Sequence, residues 1–158
     1  LTVSETIQDR ILAKLHAAWL EGGLEKVCHS YELAEQLGLT RDEFTENFAW
    51  LSHKDLAKQL SIEGPVRITH KGVLFAQERR LVESTQADRA DIMKAFIDLT
   101  HHHAGQPVDA GYVAESLGLK QDRFWAEYAL LEAMGYLYNP SASMTMVTHA
   151  GLERYGEG

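Results

Sequence analysis

The chain has one cysteine, three prolines, no long apolar run and fewer cations than anions, and each shortage removes a class of protein. A lone Cys28 cannot form an internal disulfide or a Cys-rich zinc site, and it suits a reducing compartment, so a cytoplasmic setting is expected. Three prolines and no long polar tract argue against extensive disorder. No apolar stretch approaches the ~20 residues that span a bilayer, and no basic segment leads into an apolar one, so no membrane partner is expected. The chain opens on Leu1 rather than Met, which is compatible with a processed or trimmed start. With 15 Lys+Arg against 23 Asp+Glu, the formal net charge is −8, which removes the simple electrostatic argument for non-specific nucleic-acid binding. What is there is ordinary in kind: 158 residues, 45% hydrophobic and 24% charged. That suffices for one medium domain or two small ones without metal or disulfide staples.

The chain repeats itself. Residues 31–51 (YELAEQLGLTRDEFTENFAWL) lie over 111–131 (GYVAESLGLKQDRFWAEYALL) at an offset of 80. Ala34/Ala114, Leu37/Leu117, Gly38/Gly118, Leu39/Leu119, Phe44/Phe124 and Leu51/Leu131 are among the coincidences. Thr69-His70-Lys71-Gly72 matches Thr148-His149-Ala150-Gly151 at an offset of 79. Two copies of one unit of about 75 to 80 residues follow, with domains expected at 1–83 and 84–158.

Each copy reads alike. In the first, Ile7, Ile11, Leu12, Leu15, Ala18 and Trp19 recur at helical steps, with start signals in Thr2-x-x-Glu5 and Ser4 and a stop in Gly22-Gly23. A short helix is expected at about 31–36, then a third helix capped by Thr40 with Phe44, Phe48 and Leu51 inward. Residues 59–62 and 66–69 alternate like two strands around Glu63-Gly64-Pro65, and Thr69 can cap a last helix over about 71–83. In the second copy, Thr85 and Asp88 have capping-box spacing ahead of a helix bearing Ile92, Met93, Phe96, Ile97 and Leu99, which runs to His101-His102-His103. Helices at about 110–116 and 121–134 follow, then strands at 136–138 and 144–147 around a turn at 139–142, and a final helix. The expected fold is mainly α with small β-hairpins, helix-helix-helix-strand-strand-helix twice over, joined by a helical segment around 81–88.

Glu32-Leu33-Ala34-Glu35-Gln36-Leu37-Gly38-Leu39-Thr40 resembles the helix-turn-helix signature of winged-helix domains, and Tyr112 to Lys120 resembles it too. The small Ala34 and Ala114 let two helices approach, while Gly38 and Gly118 permit the positive φ of a tight turn. The resemblance covers both halves and implies two tandem winged-helix domains. Fold is not function. The family is best known for DNA-binding regulators, and tandem acidic pairs also occur as interaction modules in chromosome-segregation, membrane-sorting and transcription assemblies.

Were the family's third helix to enter a DNA groove, the first copy would read bases with Thr45 and Asn47, helped by Arg41 and Lys54 on that helix and by Arg67 and Lys71 near the wing. Asp42, Glu43 and Glu46 oppose that role. The second copy instead places Trp125, Ala126, Ala129 and Leu130 outward, an apolar face of the kind another protein covers. Trp50 joins them as a candidate interface anchor, although packing between the repeats also accounts for such residues. The first half carries 10 cations against 13 carboxylates, the second 5 against 10. The leading expectation is therefore a non-enzymatic interaction or assembly module whose partner is another protein or a second copy. The alternative is a DNA-binding transcriptional regulator using the first repeat and its wing. A weaker variant is an effector pocket lined by Trp50, Tyr128 and Tyr136, which core packing explains better.

Eight histidines do not make a metal site by number alone. His101, His102 and His103 point about 100° apart on a helix, whereas metal pairs there use i, i+3 or i, i+4 spacing. Imidazoles at a helix C-terminus interact favourably with its dipole, a simpler account. Cys28 beside His29 reads as a buried or half-buried thiol. No nucleophile elbow, P-loop or dinucleotide fingerprint is found, so neither a metal, a cofactor nor a catalytic residue is expected.

Overall fold

The computed structural model describes residues 3–61, 63–141 and 144–156. The chain divides into two compact units, Leu1–Ser84 and Thr85–Gly158. The first unit runs α1 (Glu5–Gly22), a 3-10 turn (Gly23–Glu25), β1 (Cys28–His29), α2 (Ser30–Gln36), α3 (Arg41–His53), β2 (Ala57–Gln59), β3 (Pro65–Ile68) and α4 (His70–Glu78). The second runs α5 (Gln86–Leu99), β4 (Val108–Asp109), α6 (Ala110–Ser116), α7 (Gln121–Ala133), β5 (Leu137–Ser141), β6 (Met144–Val147) and α8 (His149–Tyr155). Each unit is mainly helical with one small antiparallel sheet, ordered β1-β3-β2 and β4-β6-β5. Among the described residues, no helix is long and apolar enough to cross a membrane.

Most helices fall where the apolar spacing puts them. The sheets differ from expectation by a third strand: β1 pairs Cys28 with Val66, and β4 pairs Val108 with Thr145. Two residues are too few for alternation to show in a sequence. In the first hairpin, β2 lies at Ala57–Gln59 rather than at 59–62, with Ala57 opposite Ile68. Ile62 lies outside the described residues, as do Thr2 of the expected first-helix start and Ala142 of the second hairpin turn. A further correction concerns the linker. α4 stops at Glu78, Arg80 takes a left-handed φ of 59°, and the Leu81 N–H closes back onto the Ala76 carbonyl. Residues 79–85 are turn, bend and coil, so of the helical segment expected around 81–88 only 86–88, the start of α5, is helical.

Equivalent residues do equivalent work in the two units. α1 buries Gln8, Ile11, Leu12, Leu15, His16 and Trp19, and Arg89, Ile92, Met93, Phe96, Ile97 and Thr100 are buried at a constant offset of 81. Gly38 and Gly118 both sit at φ 69°, a conformation that costs any residue with a Cβ about 1–2 kcal/mol. The Thr-His-x-Gly motif forms the corner between hairpin and last helix. Thr69 Oγ1 accepts from the Gly72 N–H at 3.0 Å and donates to the Asp55 carbonyl at 2.6 Å. Thr148 does the same with Gly151 and Gly135, at 3.0 and 2.6 Å. The glycine is obligatory for packing: a Cβ at Gly72 would lie 1.9 Å from the Leu56 carbonyl oxygen, and one at Gly151 2.4 Å from that of Tyr136.

Candidate binding groove

α3 begins at a full capping box, in which Thr40 Oγ1 accepts from the Glu43 N–H and the Glu43 carboxylate accepts from the Thr40 N–H. Arg41, Thr45, Ala49 and His53 then succeed one another at four-residue steps, so they form one ridge along the helix. That ridge, α2 and the β2–β3 hairpin enclose a half-open groove of about 540 Å³. Its apolar lining includes Ala34, Phe44, Phe48 and Ala49. The Phe44 and Phe48 rings stack 5.6 Å apart with an interplanar angle of 16°. Toward the mouth, the Arg41 guanidinium lies 4.1 Å over the Tyr31 ring. The Tyr31 hydroxyl is hydrogen-bonded to Glu63, which raises the phenol's pKa by stabilising its protonated form.

The second unit carries a further ring at the corresponding place. At the register position of Thr45 stands Trp125, whose indole meets Phe124 at 4.8 Å and Tyr128 at 5.3 Å, both edge-on. Trp125 Nε1 donates to Gln121 Oε1 at 3.3 Å. The Tyr128 hydroxyl is hydrogen-bonded to Thr145 Oγ1 at 2.6 Å, which ties α7 to β6. No family model matches the chain, and no curated protein matches it either.

The structure distributes the sequence-derived candidates unevenly. Of the DNA-facing set, Asn47 is fully buried, and this corrects its reading as a base contact. Its Oδ1 accepts from the Ser4 N–H at 2.8 Å and from Gln8 Nε2 at 3.3 Å, and its Nδ2 donates to the Glu43 carbonyl at 2.7 Å. Thr45 and Arg41 are exposed and share the groove. Lys54 lies 5.8 Å over the Trp50 ring. Arg67 pairs with Glu25 and Lys71 with Asp55, each at 3.4 Å. Of the interface set, Trp125 is 41% exposed, but Ala126 and Leu130 are 1% and 0% exposed, so they are not part of an outward face. Ala129 is half-buried. Trp50 is half-buried too, and lines a smaller cleft of about 280 Å³ with Leu12, Phe75 and Arg79, away from the Thr45 ridge. Tyr128 and Tyr136 pack in and against the second unit's apolar cluster and line neither cavity.

One arrangement was not anticipated from the sequence. Where Asn47 holds Ser4 and Gln8, the second unit places Glu127 at the same register, facing Thr85 and Arg89. Arg89 Nε donates to Glu127 Oε1 at 2.9 Å, with both side chains essentially inaccessible. Arg89 also donates to Gln86 Oε1 at 2.6 Å and to Thr85 Oγ1 at 3.1 Å, so Thr85 serves this network instead of capping α5. Asp88, the other half of the expected capping box, accepts from Arg123 at 2.7 Å. Burial pushes the Glu127 carboxyl above its ordinary pKa, with Arg89 pulling the opposite way. Comparing positions 4, 8 and 47 with 85, 89 and 127 would have suggested the exchange, had the first helices been aligned at their own offset.

The remaining candidates are plain in chemistry. Cys28 is half-buried, and burial raises its thiol pKa, which lowers the thiolate fraction. His101 and His102 lie beyond the end of α5, at φ 51° and 63°. Among the described residues, no three His, Cys, Asp or Glu side chains converge as a metal site.

Proposed function

We propose that the chain is a tandem winged-helix protein that works without catalysis, as a module docking a second copy or another protein. The duplicated order of helices and strands supports the fold reading, together with the matched left-handed glycine turn and threonine-capped corner. The observation that carries the functional reading is the surface of the second unit. Tyr112, Trp125 and Tyr138 are 60%, 41% and 54% exposed, in a half whose 5 cations face 10 carboxylates. Exposed Trp and Tyr suit protein interfaces, whereas a net negative surface is repelled by phosphate.

The DNA alternative has lost support on the first unit as well. Its one candidate amide reader is buried, and Arg67 and Lys71, the two cations assigned to its wing, each lie in an ion pair. The discriminating experiment titrates the full chain with a pool of random duplex DNA from low to physiological salt, beside sedimentation velocity over a concentration series. Association that Trp125→Ser with Tyr138→Ser removes, without DNA binding at low salt, is the expected result. Salt-sensitive DNA binding by a chain that stays monomeric would reverse the assignment.

A further inference from the structure

The geometry points to the groove of the first unit as a binding site for a small planar aromatic acid of about indole size. This goes beyond the docking role above and does not depend on it. The template is internal to the molecule. In the second unit, the aromatic residues of α7 carry an indole edge-on, at 4.8 Å from Phe124 and 5.3 Å from Tyr128. In the first unit, the matching residues Phe44 and Phe48 are present, but position 45 is a threonine and carries no ring. The space left is about 540 Å³, within the roughly 300–1,000 Å³ of small-molecule sites, and pairs apolar walls with a few polar groups.

The acid is specified by Arg41. It lies one helical turn before Thr45 on the same ridge, and stacks on Tyr31. Among the described residues its guanidinium is in no ion pair. A guanidinium in that state can take a carboxylate through two parallel hydrogen bonds. Glu63 lines the same groove beside Tyr31, whose phenol pKa it raises, and its carboxylate leaves Arg41 to supply the attraction for an acid. The second unit has Gln121 where Arg41 stands, so the acid preference belongs to the first groove alone.

The test is an NMR titration of the full chain with indole-3-acetate and, separately, with indole. Saturable shifts confined to amides of α2, α3 and the first hairpin are expected, with a Kd below about 1 mM for the acid. Thr45→Trp writes the second unit's solution into the first and should weaken binding at least about tenfold, with the amide spectrum otherwise kept. Trp125→Thr is the reciprocal change and should create a second site, at α6 and α7, that takes indole. Arg41→Gln should remove the preference for the acid over indole. Absence of saturable shifts, or binding that survives Thr45→Trp undiminished, overturns the site. Equal affinity for indole and its acid in the unsubstituted chain overturns the ligand class.

Discussion

The ion pair buried in the second unit, set against the amides of the first, defines a reciprocal exchange with a calculable outcome. Glu127→Asn shortens the side chain and leaves the Arg89 guanidinium, 2% exposed, without its carboxylate. Removing one partner of a buried pair costs about 3–5 kcal/mol. Arg89 keeps its bonds to Gln86 and Thr85, which places the expected loss near the lower end, about 3 kcal/mol. In a unit of this size such a loss lowers the melting temperature by roughly 12–24 °C. Adding Arg89→Gln installs the pair that the first unit already uses, Gln8 with Asn47. The double variant should return to within about 1 kcal/mol of the unsubstituted chain, or exceed it, because two desolvation penalties disappear together. The coupling between the two positions should then be at least about 2 kcal/mol. Urea unfolding followed at the Trp125 indole N–H resonance reports the second unit alone. Acidity adds a signed check. The folded Glu127 carboxyl has a raised pKa, through burial first, so the folded unit holds a proton that the unfolded chain releases. This group therefore adds stability as pH falls from neutral through its raised value, and the gain is complete below the ordinary carboxylate range. The double variant lacks the carboxyl, so its stability relative to the unsubstituted chain should decline on acidification. A loss under about 1 kcal/mol for Glu127→Asn, or a double variant no better than the single, would refute the reasoning.

Two further predictions test the frame and the demoted site. Gly72→Ala drives a Cβ to 1.9 Å from a backbone carbonyl, whereas a Cβ at Gly38 meets nothing within 4 Å and bears only its φ of 69°. Thermal melts should show a loss of about 3 kcal/mol for the first and about 1–2 kcal/mol for the second, and equal losses would contradict the packing argument. Asn47→Ala should cost about 2 kcal/mol by stranding the Ser4 and Gln8 donors, and leave any duplex binding unchanged. An unaltered melt with weakened DNA binding would restore it as a base contact.

What could be read from the sequence was local. Gly38 and Gly118 set their own turns, Thr40 caps α3 three residues on, and Thr69 and Thr148 accept from glycines three residues on, so there motif and geometry coincide. β1 and β4 escaped because two-residue strands exist only through pairing with β3 and β6. The Ser4–Gln8–Asn47 contact escaped because it joins residues some 40 positions apart. The helical-wheel reading of α7 failed for a different reason. α3 buries Phe44, Asn47, Phe48 and Leu51, a single stripe of about 100°. α7 buries Phe124, Ala126, Glu127, Tyr128, Leu130 and Leu131, an arc of roughly 200° at 100° per residue. Ala126 and Leu130, apolar residues off the first stripe, were read as an outward face and are buried.

The positions at which the repeats agree and differ are themselves informative about where function resides. Glycines at left-handed φ or under a carbonyl are identical because a Cβ is strained or excluded there, and the corner threonines because the position needs a hydroxyl that both accepts and donates. The buried polar contact requires only matched donors and acceptors, so amides and an ion pair are both solutions, and the exchange alters stability and its pH dependence without changing the surface. Position 45/125 obeys neither constraint. Thr and Trp there lead to opposite surfaces on the same aromatic floor: one open and bordered by Arg41, the other capped by a half-exposed indole. A single register position thus separates a unit that can receive an aromatic group from a unit that displays one, which is why exchanging Thr45 and Trp125 tests function while exchanging the buried pairs tests the frame.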